Sequence, residues 1–141
     1  MDGLPDDPPL GFLLHRAANA LRADVTATVL EPLNLTFPQY ICLRILSKKP
    51  GRSNAELARD INVSPQAMNV VLRSLEDRGL VVRPADAASG RSQPAKLTRA
   101  GVRLLTRTDP GVRDAERRML AHLSTEERHV FKRVLMSLVT D

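Results

Sequence analysis

A chain of 141 residues with 43% apolar side chains amounts to one domain that can bury a core, and with no Trp, one Tyr and three Phe that core must be aliphatic, which suits helices. No run of about 18 apolar residues occurs and the start, MDGLPDDPPLG, is acidic and proline-rich, so neither a membrane span nor a signal peptide is expected and the cytoplasm is the expected location. One cysteine excludes an internal disulfide framework, and a net charge of +5 favours an acidic partner.

Residues 1–9 hold three prolines and three aspartates and are expected to be a disordered tail. From Leu10 the apolar positions Leu10, Leu14, Ala17, Leu21, Val25 and Val29 form one helical stripe, which Pro32 should end. Thr36 and Gln39 then make a capping box, in which each side chain satisfies a free backbone N–H at a helix start. The helix they open is apolar almost all round from Tyr40 to Leu46 and belongs in the middle of the fold.

The stretch Ser53–Gly79 contains two helix patterns with a very short break between them. Ser53 and Glu56 cap the first, whose inward face is Leu57, Ala58 and Ile61. Asn62 tolerates positive φ, and Ser64-Pro65 supplies a second N-cap with proline at the first helical position, so the chain turns at Asn62-Val63. Met68, Val71, Leu72 and Leu75 face inward along the second helix, and Gly79 stops it. This leaves Gln66, Asn69, Val70 and Arg73 outside, on the face that enters a major groove in helix-turn-helix proteins. An ordinary αα corner is the plain alternative.

Leu80–Arg83, a polar turn from Pro84 to Gly90, and a return from Arg91 to Leu97 predict a short β-hairpin, weakened at Pro94, which cannot donate to a ladder. A helix-turn-helix followed by such a hairpin is a winged helix. Thr98 can cap a further helix toward Asp109, where Pro110-Gly111 should kink or break it. Ser124 and Glu127 form a third capping box, opening a last helix with Val130, Phe131, Val134, Leu135, Leu138 and Val139 on a wide stripe. Both chain ends are thus amphipathic helices flanking a complete winged domain. The simplest use for their stripes is to meet a second copy.

Between Gly51 and Arg107 there are ten basic residues (Arg52, Arg59, Arg73, Arg78, Arg83, Arg91, Lys96, Arg99, Arg103, Arg107) against five acidic ones, Glu56, Asp60, Glu76, Asp77 and Asp86. That segment carries the whole positive surplus, which favours a polyanion over a generally solvated basic surface. Catalysis is not expected: the histidines are His15, His122 and His129, no pair has the i, i+4 spacing of a metal site, and the cap at Ser124 separates His122 from Glu126 and His129. No cofactor or metal is expected either. Cys42, among Ile41, Leu43 and Ile45, reads as a small core residue more readily than as a redox sensor.

From Leu10 to Val139 the chain resembles the MarR family of bacterial transcription regulators. The resemblance rests on Leu35-Thr36, Val63-Ser64, the run Leu75-Glu76-Asp77-Arg78-Gly79-Leu80-Val81, and the wing segment ending Leu97-Thr98 with Gly101, six residues after Arg91 at its Leu97 step. It implies a mainly α fold with a small β-wing: a winged helix-turn-helix over 35–111, flanked by a dimerisation region built from 10–34 and 112–141. It also implies a homodimer on a pseudo-palindromic operator, with double-stranded DNA met by Ser64, Pro65, Gln66, Asn69, Val70, Arg73 and the wing residue Arg91. Two departures stand out: Ser89 replaces an aspartate common two residues before the wing arginine, and Val70 stands where a basic or polar residue is common. Family members often bind small aromatic or phenolic molecules between dimerisation region and winged domain, for which His15, Asn19 and Arg44 are the candidates here. The reading from a different class is a winged-helix module that binds protein through its outer face.

Overall fold

The computed structural model describes residues 7–84 and 94–139. Among the described residues, six α-helices and one two-stranded antiparallel sheet follow in the order α1 (Leu10–Val25), α2 (Phe37–Lys48), α3 (Asn54–Ile61), α4 (Pro65–Asp77), β1 (Val81–Val82), β2 (Lys96–Leu97), α5 (Arg99–Met119) and α6 (Thr125–Val139). Helix α1 does not stop at its last α-helical residue. A π-helical turn at Thr26–Leu30 and a 3-10 turn at Glu31–Leu33 carry it to Asn34, whose φ of 56° ends it. Pro32 sits inside that final turn, where a missing N–H costs little. The orphaned carbonyls of Leu33 and Asn34 accept from the Arg78 guanidinium, which ties this end to the far end of α4.

All three expected capping boxes are present. Thr36 and Gln39 exchange hydrogen bonds at the start of α2, Ser53 and Glu56 at α3, and Ser124 and Glu127 at α6. Helix α2 is central, with Tyr40, Cys42, Leu43 and Leu46 buried and neighbours in α3, α4, α5 and β2. Leu30, Leu57, Met68, Leu72 and Leu75 complete the innermost layer.

The sheet is shorter than the apolar run suggests. Val81 pairs with Leu97 and Val82 with Lys96, and Pro94 lies outside the ladder. The hairpin base is clamped onto α5: Thr98 donates its hydroxyl to the Gly79 carbonyl at 2.6 Å and accepts from the Gly101 N–H at 3.1 Å. Gly101 permits this, since a Cβ there would collide with the Leu80 carbonyl oxygen.

The expected kink or break at Pro110-Gly111 does not interrupt α5, which runs unbroken through both residues for 21 positions. Two features explain its survival. Pro110 is exposed, as is Thr106, so water can serve the Thr106 carbonyl that loses its helical donor. Gly111 faces inward, and a Cβ on it would come within 2.6 Å of Val29 Cγ2, so its absence lets the α1 extension pack closely. Burial of Leu105, Thr108 and Ala115 on either side holds both halves against one surface. The bidentate pair of Arg118 with Asp24, at 3.0 and 2.9 Å, adds a second link to α1.

Candidate nucleic-acid interface

Helix α4 owes its start to Ser64, whose Oγ accepts from the Ala67 N–H at 3.1 Å, and to Pro65 at the first helical position. Its orientation is fixed by α3, which turns into it at Asn62 with φ of 64°. The backbone N–H of Ser53 holds the Glu56 carboxyl below the usual carboxylate range, stabilising the start of α3. Met68, Leu72 and Leu75 are buried on one side of α4, whereas Ser64, Pro65, Gln66, Asn69, Val70 and Arg73 are all exposed on the other. Val70 keeps 69% of its surface in solvent on this face. Positions 66, 69, 70 and 73 are one helical face, as expected. Arg91 and Ser89 lie outside the described residues.

The charges divide into spent and available groups. Arg52 binds Glu56 at 2.7 Å and Asp60 at 2.8 Å, and Arg83 binds Glu76 at 2.7 Å. With Arg78 committed to carbonyls, three of the ten basic residues counted in the sequence serve the scaffold. Arg59, Arg73, Lys96, Arg99, Arg103 and Arg107 remain exposed.

Sequence reasoning missed one contact within the interface itself. Asn54, at the first position of α3, donates its Nδ2 to Asn69 Oδ1 at 3.1 Å. Fifteen residues separate the two, and no local pattern signals the pairing.

The three candidate effector residues are not brought together within one chain. The Asn19 amide donates to His15 Nε2 at 3.1 Å, with both side chains exposed on the free part of α1. Arg44 lies elsewhere, donating to Asp109 at 2.7 Å and to the Tyr40 hydroxyl at 3.2 Å. It borders a crevice of about 270 Å³ shared with Val112, Arg113, Glu116 and Lys132. Cys42 is fully buried, and desolvation pushes its thiol up to about 12, which leaves it almost wholly protonated near neutral pH. Among the described residues no group of three or more His, Cys, Asp or Glu is placed to hold a metal, and no helix is long and apolar enough to cross a membrane.

A helix-turn-helix closed by a short hairpin, with a buried inner face and a polar outer one on α4, defines a winged helix-turn-helix protein. The MarR family pattern matches residues 35–92, from the cap of α2 to the wing. Over 139 residues the chain is 53% identical to the HTH-type transcriptional repressor Rv2887 of Mycobacterium tuberculosis (strain ATCC 25618 / H37Rv), with 99% of each chain covered. The crystal structure of Mycobacterium tuberculosis MarR family protein Rv2887 with salicylic acid matches with a TM-score of 0.81 at 53% identity, over 96% of this chain and 99% of that one. Its complex with DNA matches with a TM-score of 0.77 at 47% identity, over 95% of this chain and 100% of that one. The chain belongs to the MarR family.

Proposed function

We propose that this chain is a sequence-specific, DNA-binding repressor of transcription that acts as a homodimer and releases its operator when a small aromatic carboxylate or phenol binds. The observation that carries the reading is the outer face of α4: four side chains at groove-reading positions, exposed over a fully buried inner face. That the repressor-named relative was crystallised with DNA supports it. Gln66 and Asn69 present amides to base edges, and Val70 offers methyls suited to the 5-methyl group of thymine. Arg73, a turn further on, and Arg91 on the wing reach the phosphate backbone or a narrow minor groove, while Ser64 stands at a helix N-terminus where a phosphate is favoured. No catalytic step is assigned to the chain.

Dimerisation places two such helices on one duplex. Leu10, Phe12, Leu13 and Leu14 on α1 and Val130, Phe131, Val134, Leu138 and Val139 on α6 are exposed in the single chain, and a dimer covering them would bury roughly 2,000 Å² or more. For the effector, the Arg44 crevice is the better candidate. There Arg44 and Lys132 pair with Asp109 and Glu116, and Arg113 is the surplus cation for a carboxylate in a mostly polar crevice. Salicylate is the probe suggested by the relative's complex. His15 and Asn19 can join such a site only from the partner of the dimer.

The test is titration of labelled promoter DNA from the chain's own gene neighbourhood against scrambled duplex at several salt concentrations, with and without salicylate. The reading expects tight, salt-dependent binding to one promoter segment, weakened by salicylate in the natural chain and not in Arg44→Ala. Equal affinity for promoter and scrambled DNA would sink it.

A further inference from the structure

We infer that Asn54, on α3, is a positioning residue for base readout: it holds the Asn69 amide with its oxygen turned toward α3 and its amino group turned toward the groove. Two features of this one side chain carry this. The first is the hydrogen bond from Asn54 Nδ2 to Asn69 Oδ1 at 3.1 Å, joining the two helices at the reading face. The second is that Asn54 Oδ1 is buried without a hydrogen-bond partner, the one such side-chain oxygen or nitrogen among the described residues. A buried acceptor left unmade is a cost to folding, and one bond to an exposed side chain is poor compensation for it. The arrangement makes sense if the Asn69 contact serves something other than stability.

The reversed amide orientation is the costlier one. It would bury the Asn54 amino group, with its two donors, in the place now held by an oxygen, and orphaned buried N–H groups are rarer than under-used carbonyls. With Asn69 Oδ1 engaged by Asn54, its Nδ2 is the atom presented outward. An amino group seeks acceptors, which in the major groove are purine N7, guanine O6 and thymine O4. A freely rotating asparagine would instead choose between acceptors and the amino groups of adenine and cytosine, and would discriminate less. An asparagine amide free on this face can give and take at an adenine edge; the contact with Asn54 commits Asn69 to giving.

The inference rests on the DNA-binding function proposed above, and its test separates the two. The promoter segment bound by the natural chain is competed against all its single base-pair variants, for the natural chain, Asn54→Ala, Asn69→Ala, the double variant and Asn54→Asp. In the natural chain, one base pair per half-site, the one whose preference Asn69→Ala levels, should require an acceptor. Asn54→Ala should weaken discrimination at that same pair by roughly 3- to 10-fold, leave scrambled DNA unaffected, and add nothing in the Asn69→Ala background. Asn54→Asp places an acidic group at a helix start, where it is tolerated, and can only accept from Asn69; it should turn the Asn69 oxygen outward and move the preference to adenine or cytosine N–H donors. Unchanged preference in Asn54→Ala, a loss shared equally by promoter and scrambled DNA, or additive effects in the double variant would overturn the role of Asn54 while leaving DNA binding in place. Failure of the natural chain to prefer any promoter segment would overturn both.

Discussion

The winged core and the two chain ends meet the need for burial in different ways. In the core, α2, α3 and α4 hide Leu43, Leu57, Met68, Leu72 and Leu75 from solvent entirely or nearly so, and their polar ends are capped within the chain. Helix α6 buries no residue at all, and Val134 and Leu138 on its stripe stay 50% and 63% exposed. Helix α1 changes from one regime to the other along its length, exposed at Leu10, Leu13 and Leu14 and buried from Val25 onward against α5. The difference teaches where each partner belongs. In the function proposed above, the core, complete in itself, devotes a polar face to DNA, and the apolar stripe with nothing over it is assigned to a second copy.

The largest effect should come from charging that stripe. Phe131→Asp with Val134→Asp should weaken dimerisation by more than about 100-fold, because a dimer would bury unpaired carboxylates, and should abolish promoter binding while α2 to α5 keep their helical signal. Sedimentation of the variant together with a gel shift checks this. A dimer persisting at micromolar concentration would break the division between core and ends.

A smaller effect, confined to the core, tests its self-sufficiency. Gly101→Ala pushes a methyl into the Leu80 backbone carbonyl, which cannot move without opening the hairpin base, and should cost about 1–3 kcal/mol or more in denaturant unfolding. Gly111→Ala meets only a Val29 methyl and should cost less, since a side chain can give way. A reversed order would show the hairpin to be the softer contact.

What could be read from the chain, and what could not, follows from range. The three capping boxes, the positive φ at Asn62 and the outer face of α4 depend on residues within a few positions of one another, and all were legible. The Asn54–Asn69 contact, the Arg83–Glu76 pair and the Arg44–Asp109 pair, the last spanning 65 residues, are made by the fold and leave no periodic trace. Pro110-Gly111 misled for a related reason. Local propensity marks an interruption, while packing of Gly111 against Val29 and burial of Thr108 and Ala115 hold the helix together. Gly101 enters the sequence reading only as part of the wing segment, and its real constraint, the approach of Leu80, leaves no local trace.

The smallest expected effect lies where core and ends join. The hydrogen bonds from Arg118 hold the Asp24 carboxyl below its ordinary 3.8, so the pair contributes stability above that value and loses it as pH falls through the lowered folded value. Asp24→Asn should therefore slightly flatten the fall in denaturation midpoint on the acid side, below about pH 4, and leave neutral pH nearly unchanged. An identical acid limb in both proteins would mean that the link is idle.

The central claim, that α4 reads bases through one part of its outer face and grips backbone through another, is tested most directly by comparing Gln66→Ala with Arg73→Ala on promoter and scrambled duplex across a salt series. Gln66→Ala should cost about 1–3 kcal/mol per recognised base pair on the promoter and almost nothing on scrambled DNA. Arg73→Ala should weaken both alike and reduce the salt slope by roughly one unit per chain, or about two per dimer. If both variants lost affinity equally on both duplexes with the same salt slope, or neither lost any, α4 would not be the reading helix.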